Sequence, residues 1–96
     1  MPDRVIKQQM GSSHQEFFRL LPRALASNDY SVTGSQIVFE DGDKRVEIDL
    51  GPEGKRQIAL LAIPSTPVEI RMSGFDDKAY EDFMTVFERA FQRGGG

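Results

Sequence analysis

Residues 46–72 read VEIDLGPEGKRQIALLAIPSTPVEIRM, and most of the predicted architecture follows from this stretch. At its start, Val46, Ile48 and Leu50 alternate with acidic residues, and a similar alternation returns over residues 68–72. Alternation with a period of two is typical of a strand with one buried face and one wet face. The stretch therefore predicts a sheet that is covered on one side and exposed on the other.

Turn-forming residues divide this region into strands. Asp41-Gly42 accepts the positive φ angles of a tight hairpin, residues 51–54 (GPEG) predict a second turn, and Pro64 and Pro67 predict a third. With a shorter alternation over residues 37–39, the pattern predicts four strands. Because connections of two to six residues are too short for parallel crossovers, we expect an antiparallel meander.

The middle of the stretch differs from its two ends. From Ile58 to Ile63 apolar residues occupy both alternating positions, so no polar face remains. Such a run is typical of a strand that is buried on both sides. We therefore expect a central strand here, covered by the helices on one side and by something else on the other.

Two helices are predicted to flank the strands. Ser13 and Glu16 form an S-x-x-E capping box, and Pro22 predicts a kink near Leu21. The first helix is expected to end at Asn28-Asp29, which tolerates left-handed backbone. Its apolar face combines five residues at helical spacing: Phe17, Leu20, Leu21, Ala24 and Leu25.

The second helix carries an aromatic stripe. Phe83, Phe87 and Phe91 recur every four residues after Asp76, a good N-cap residue, and Gly94 ends the pattern. A stripe at this spacing indicates one face that packs against the sheet.

These elements predict a two-layer α+β sandwich in the order α-β-β-β-β-α, with a four-stranded antiparallel meander and two helices on one face. We expect residues 1–12 to form a mobile N-terminal segment or a short extra strand. Residues 13–93 should form a single α+β domain, and residues 94–96 a flexible glycine tail.

Composition excludes several classes of function. The 96 residues contain no cysteine, so disulfides, thiol chemistry and Cys-ligated zinc are excluded. A net charge of −3 disfavours nucleic acid, and the absence of a long apolar run disfavours a membrane span. We expect a cytoplasmic protein without a cofactor or metal.

Few residues suggest chemistry. His14 is the only histidine, and its place in the first turn of a helix predicts exposure to solvent without a structural role. Glu47, Asp49 and Glu69 should share the open face of the sheet, where Arg71 can neutralise them. An enzyme would need Glu47, Asp49, Arg71 and His14 to converge in a cleft.

The apolar run suggests an interaction surface. If both helices cover one face, one of the two alternating sets of this run faces outward. The candidate set is Ala59, Leu61 and Ile63, the alternative is Ile58, Leu60 and Ala62, and Phe18 lies off the main stripe of the first helix. An exposed apolar patch often marks a contact with a partner. We therefore expect a homodimer or a protein partner on this surface, unless the N-terminal segment folds over it.

Three functions remain open at this point. The preferred hypothesis is a small non-enzymatic interaction module that acts through its sheet surface and self-associates. The second is a small-ligand carrier or regulatory domain, with a groove between sheet and helices that is lined by Leu60, Phe83 and Phe87. The third is an enzyme of unknown class.

Overall fold

The computed structural model of the chain describes residues 3–92 and contains two helices and one six-stranded antiparallel sheet. The α+β class is therefore confirmed. In chain order, the elements are β1 (Arg4–Met10), α1 (His14–Leu25), β2 (Tyr30–Thr33), β3 (Gln36–Asp41), β4 (Lys44–Leu50), β5 (Gly54–Ile58), β6 (Leu61–Ser73) and α2 (Asp77–Gln92). The glycine tail predicted for residues 94–96 lies outside the described residues.

The sheet has the strand order β1-β6-β4-β3-β2, and β5 pairs with the first part of β6. All five strand pairings are antiparallel. The expected number of four strands was too low. The N-terminal residues form β1 against β6, and Tyr30–Thr33 forms β2 against β3.

The first helix begins where the capping residues predict. The Glu16 amide donates to Ser13 Oγ at 3.1 Å. Pro22 lies inside the helix, which continues to Leu25 and ends at Ala26 with a φ of 54°. The end comes two residues before the expected Asn28-Asp29, because Ala26 itself adopts the left-handed conformation that was assigned to asparagine and aspartate.

The core lies between the helices and one face of the sheet, as the alternation of β4 predicts. Phe87 of α2 is fully buried, and Phe17 of α1 stacks on Phe91 with ring centroids 4.9 Å apart. The cluster of buried residues comprises Phe17, Leu21, Ala24, Leu25, Ile37, Val46, Ile48, Leu50, Val68, Ile70, Met72, Met84, Phe87 and Ala90. The other side of the sheet is open, and we call it the open face.

The prediction for the apolar run was wrong. Gly51–Glu53 does not reverse the chain, because β4 and β5 both pair antiparallel with the same strand, β6. The reversal comes instead at Ala59-Leu60, between the paired residues Ile58 and Leu61. The run from 58 to 63 is therefore the end of a long hairpin and not a central strand.

Two prolines lie inside β6, where the sequence predicted a turn. Pro67 O accepts a hydrogen bond from Gly51 N, and Met72 O accepts one from Asp3 N near β1. Successive residues of a strand direct their backbone N–H and C=O groups to opposite neighbouring strands. In β6 the even-numbered residues therefore direct these groups toward β1. At Pro64 the β1 ladder has already ended. Its missing N–H therefore points away from β5, beyond the end of the β1 ladder, and no ladder bond is lost.

Candidate functional site

The most distinctive feature of the surface is the outer half of the β5–β6 hairpin, residues 54–65, which we call the hairpin arm. Its two strands pair with each other from Gly54 and Ser65 to Ile58 and Leu61. The two loop residues are Ala59 and Leu60, and only Ala59 has a positive φ, 54°. A positive φ at the first loop position alone is the pattern of a type II′ turn.

The hairpin arm exposes large apolar side chains at its end. Leu60 is 97% exposed, Leu61 65% and Ile58 45%. Every residue of β5 is exposed, and the arm contributes no residue to the buried core cluster. These exposed apolar side chains therefore take no part in the core.

Three apolar side chains of the arm, Ile58, Leu61 and Ile63, share one side of the ribbon. Directly paired residues lie on the same side of a two-stranded ribbon, so Ile58 and Leu61 lie on one side. The pair Arg56 and Ile63, two residues further from the turn, lies on that same side. β6 runs without interruption, so Leu61 and Ile63 lie on the same side as Glu69 and, further on, Arg71. The apolar side of the arm therefore continues the open face of the sheet.

Side-chain hydrogen bonds hold the base of the arm. Gln9 Nε2 of β1 donates to Ser65 Oγ at 2.6 Å. One residue further, the buried hydroxyl of Thr66 donates to the Ser12 carbonyl at 2.8 Å. The segment between β1 and α1 thus fixes the point at which the arm leaves the sheet.

A second set of bonds comes from the start of α1. His14 Nε2–H donates to the Gly51 carbonyl at 2.7 Å, and the His14 amide donates to Glu53 Oε1 at 2.8 Å. A carboxylate at a helix N-terminus is favoured by the helix dipole. The expectation that His14 has no structural role was wrong, because its ring is half-buried and bonds the break between β4 and β5.

An open cleft of about 530 Å³ is lined by residues of β1, β4 and β6 next to the base of the arm. Pro67 and Gly51 are among its lining residues, and Asp49, Glu69 and Lys7 contribute charged side chains to the lining. We call it the base cleft. It lies beside the apolar side of the arm, since Pro67 and Glu69 belong to the same set of alternate β6 residues.

The rest of the open face is a network of ion pairs around Arg71. Its guanidinium lies 2.8 Å from Glu69 Oε2 and 3.2 Å from Glu47 Oε1, and it also pairs with Asp49. The hydrogen bonds that Arg71 donates to Glu69 and Asp49 raise its pKa. The bond from Arg45 Nε, at 2.8 Å, lowers the pKa of Glu47, and Arg71 adds to this effect. The expected neutralisation by Arg71 is thus seen.

The structure separates the residues expected to form a partner surface. Ala59 and Leu61 lie at the exposed end of the arm, and Ile63 is half-buried near its base. Phe18 lies on α1, packed against the core with its ring edge-on to Phe17. Three of the four residues therefore belong to the arm, and Phe18 belongs to the margin of the core.

The expected ligand groove does not form. Phe87 is completely buried and Phe83 packs against it with ring centroids 5.8 Å apart, whereas Leu60 is almost completely exposed at the end of the arm. These residues cannot line one groove.

The polar residues considered for an enzyme also lie apart. Glu47, Asp49 and Arg71 pair on the open face, while His14 bonds to Gly51 from α1, on the helix side of the sheet. Within residues 3–92, no group of three or more metal-binding side chains is placed to hold an ion. Over the same residues, neither helix combines the length and apolar character needed to cross a bilayer.

Comparison with known proteins adds no likeness to these observations: no family model matches the chain, and no curated protein or solved structure is similar to it.

Proposed function

We propose that the chain is a small non-enzymatic interaction module that binds a protein partner through the hairpin arm. The observation that supports this most is the exposure of Leu60, Leu61 and Ile58 at the end of a hairpin whose base is held by several hydrogen bonds. The sequence predicted contact through the sheet surface. We propose contact through the arm instead, because the open face of the sheet is occupied by charged side chains in ion pairs.

The expected strength of binding follows from the exposed area. The three exposures together amount to about two fully exposed side chains, and burying one Leu or Ile contributes about 1.5–3 kcal/mol. One arm therefore supplies roughly 3–6 kcal/mol, against an association cost of about 4–15 kcal/mol. A single arm supports weak, reversible docking unless the partner adds contacts of its own.

The charge of the arm favours an acidic partner surface. Lys55 and Arg56 are its only charged residues, while the rest of the sequence holds ten basic and fifteen acidic residues. Opposite charges across an interface speed encounter and fix orientation. As part of the same proposal we place the module in the cytoplasm, since a cysteine-free chain has no need of an oxidising compartment.

Site-specific photo-crosslinking tests this proposal. A photoreactive amino acid in place of Leu60, in cells that naturally express the chain, should give a discrete protein adduct. The matched control places it at Val86 on α2, which is 42% exposed. Excess wild-type protein should compete the adduct away, and the Leu61→Glu variant should not. Equal labelling at 60 and 86, or no adduct at 60, would refute docking through the arm.

A further inference from the structure

We propose that the arm docks on a second copy of this chain, in a two-fold dimer in which each arm crosses the open face of the other copy and places Leu60 at its base cleft. This inference deepens the proposed function and rests on it, because the same arm is the docking element. Three features of the described residues support it, and they concern direction, charge and area.

The first feature is direction. The apolar side of the arm, with Ile58 and Leu61, continues the open face, and the base cleft beside Pro67 lies on that same face. When two copies place their open faces together about a two-fold axis, the apolar side of each arm faces the other copy. Two-fold symmetry makes the contact self-complementary, so both arms are covered by one association event.

The second feature is charge. The arm carries Lys55 and Arg56 without an acidic residue, and the rest of the sequence has a net charge of −5. At the base cleft, Asp49 and Glu69 already pair with Arg71, and Lys7 lies 3.9 Å from Glu69, so the attraction comes from the acidic remainder of the chain as a whole. The arm of one copy is therefore attracted by the acidic remainder of another.

The third feature is area. One arm presents three exposed large apolar residues, and a two-fold dimer covers six of them at once, together with the lining of two base clefts. Small interfaces hold only when such residues are fully desolvated. Reciprocal docking doubles the buried apolar surface for one loss of translational freedom.

An anionic lipid surface is the competing occupant, because an apolar tip with basic residues behind it also suits a bilayer. The net charge of −5 on the rest of the chain opposes approach to such a surface and favours approach to the arm of a second copy. The second copy is therefore the occupant that the charge distribution favours.

Sedimentation velocity over a concentration series tests the dimer. We expect a concentration-dependent dimer that weakens when salt is raised from about 50 to 500 mM, as screening requires. Leu61→Glu should raise the dissociation constant at least tenfold, while Val86→Glu, at another exposed apolar residue, should leave it unchanged. Circular dichroism of both variants verifies that the fold is intact.

Crosslinking tests the geometry, and the absence of cysteine makes single-cysteine variants unambiguous. A mixture of Leu60→Cys and Lys7→Cys should form mixed disulfides in preference to a mixture of Leu60→Cys and Val86→Cys. Lys7 suits this purpose because it lines the base cleft and its side chain is 77% exposed.

Several results would overturn the dimer. A strict monomer at about 1 mM, a dimer that is indifferent to Leu61→Glu, or equal crosslinking to both cysteine positions would each contradict it. So would arm-dependent sedimentation of monomers with vesicles of phosphatidylcholine and phosphatidylserine. A photo-adduct at position 60 with a different protein would leave the proposed function standing while the dimer fails, whereas an adduct of two 10.8 kDa chains supports both.

Discussion

At Gly51 the backbone passes so close to Pro67 that there is no room for a side chain. A Cβ at this position would lie 2.5 Å from Pro67 Cγ, and the proline ring cannot rotate away. Gly51→Ala should therefore lower the free energy of unfolding by about 1–3 kcal/mol, as overpacking does. Urea denaturation measures this, with Gly54→Ala as control, where the nearest atom to a Cβ is Ser65 O at 3.8 Å. Equal stability of the two variants would contradict the close approach.

The ion pairs of the open face predict a dependence of stability on pH. Hydrogen bonds from Arg45 and then Arg71 lower the pKa of Glu47 in the folded state. Its contribution is therefore present above the unfolded value, near 4.5, and is lost as the pH falls through the folded pKa.

Glu47→Gln should accordingly be less stable than wild type at pH 7 and lose less stability on acidification. Urea midpoints at pH 7, 5 and 3 would show the two curves converging. Glu88→Gln, which changes an exposed carboxylate on α2, serves as the control and should follow wild type in parallel. A Glu47→Gln curve that also runs parallel to wild type would mean that the pairs contribute no pH dependence.

At the scale of elements, the hairpin arm can be removed without touching the core. None of its residues belongs to the core cluster, and Gly54 pairs directly with Ser65. Replacing residues 55–64 with Asn-Gly, which favours a two-residue hairpin turn, should leave cooperative unfolding intact and change its free energy by about 1 kcal/mol or less. Thermal and urea unfolding monitored by circular dichroism measures this. Loss of cooperativity would show that the arm is needed for folding.

The elements that pack against the core could be predicted from sequence. The alternation of β4 and the second half of β6, the capping box of α1 and the phenylalanine stripe of α2 all depend on local period or local chemistry. Each of these patterns indicates which side of a helix or strand is buried, because the spacing of apolar residues follows the buried face.

The hairpin arm could not be predicted in the same way. An apolar run with no polar face usually indicates burial on both sides, and here the same pattern belongs to an exposed hairpin. The reversal lies at Ala59-Leu60, which contains neither glycine nor asparagine, while the glycines and prolines nearby lie at a strand break and inside a strand. Lys55 and Arg56, which precede the run, were the available signal that β5 is exposed.

The base of the arm was also beyond a sequence argument. His14 bonds to Gly51, and Glu53 bonds to the His14 amide, across almost forty residues of chain. Only the tertiary arrangement brings the start of α1 against the break between β4 and β5. A single histidine in the first turn of a helix has no local sequence pattern that predicts a hydrogen bond to a distant backbone carbonyl.

At the scale of the whole molecule, the long hairpin sets the shape. The described part of the chain extends 46 × 26 × 23 Å, and a strand of thirteen residues such as β6 spans about 43 Å. The long dimension therefore follows β6, and the arm accounts for about 17 Å of it.

Small-angle scattering at a concentration where the chain is monomeric should show this elongation. Removing residues 55–64 as above should shorten the maximum dimension by roughly 15 Å, which is far more than the loss of ten residues from a sphere would give. An unchanged maximum dimension would mean that the arm folds back onto the body in solution.

Pro64 limits the addition of further strands to the edge of the hairpin arm. An extended ribbon with two open flanks is a template on which further chains can add without limit, and fibrous deposits grow in this way. One flank of this ribbon lacks a hydrogen-bond donor at position 64. Growth by strand addition is therefore interrupted on that flank at position 64.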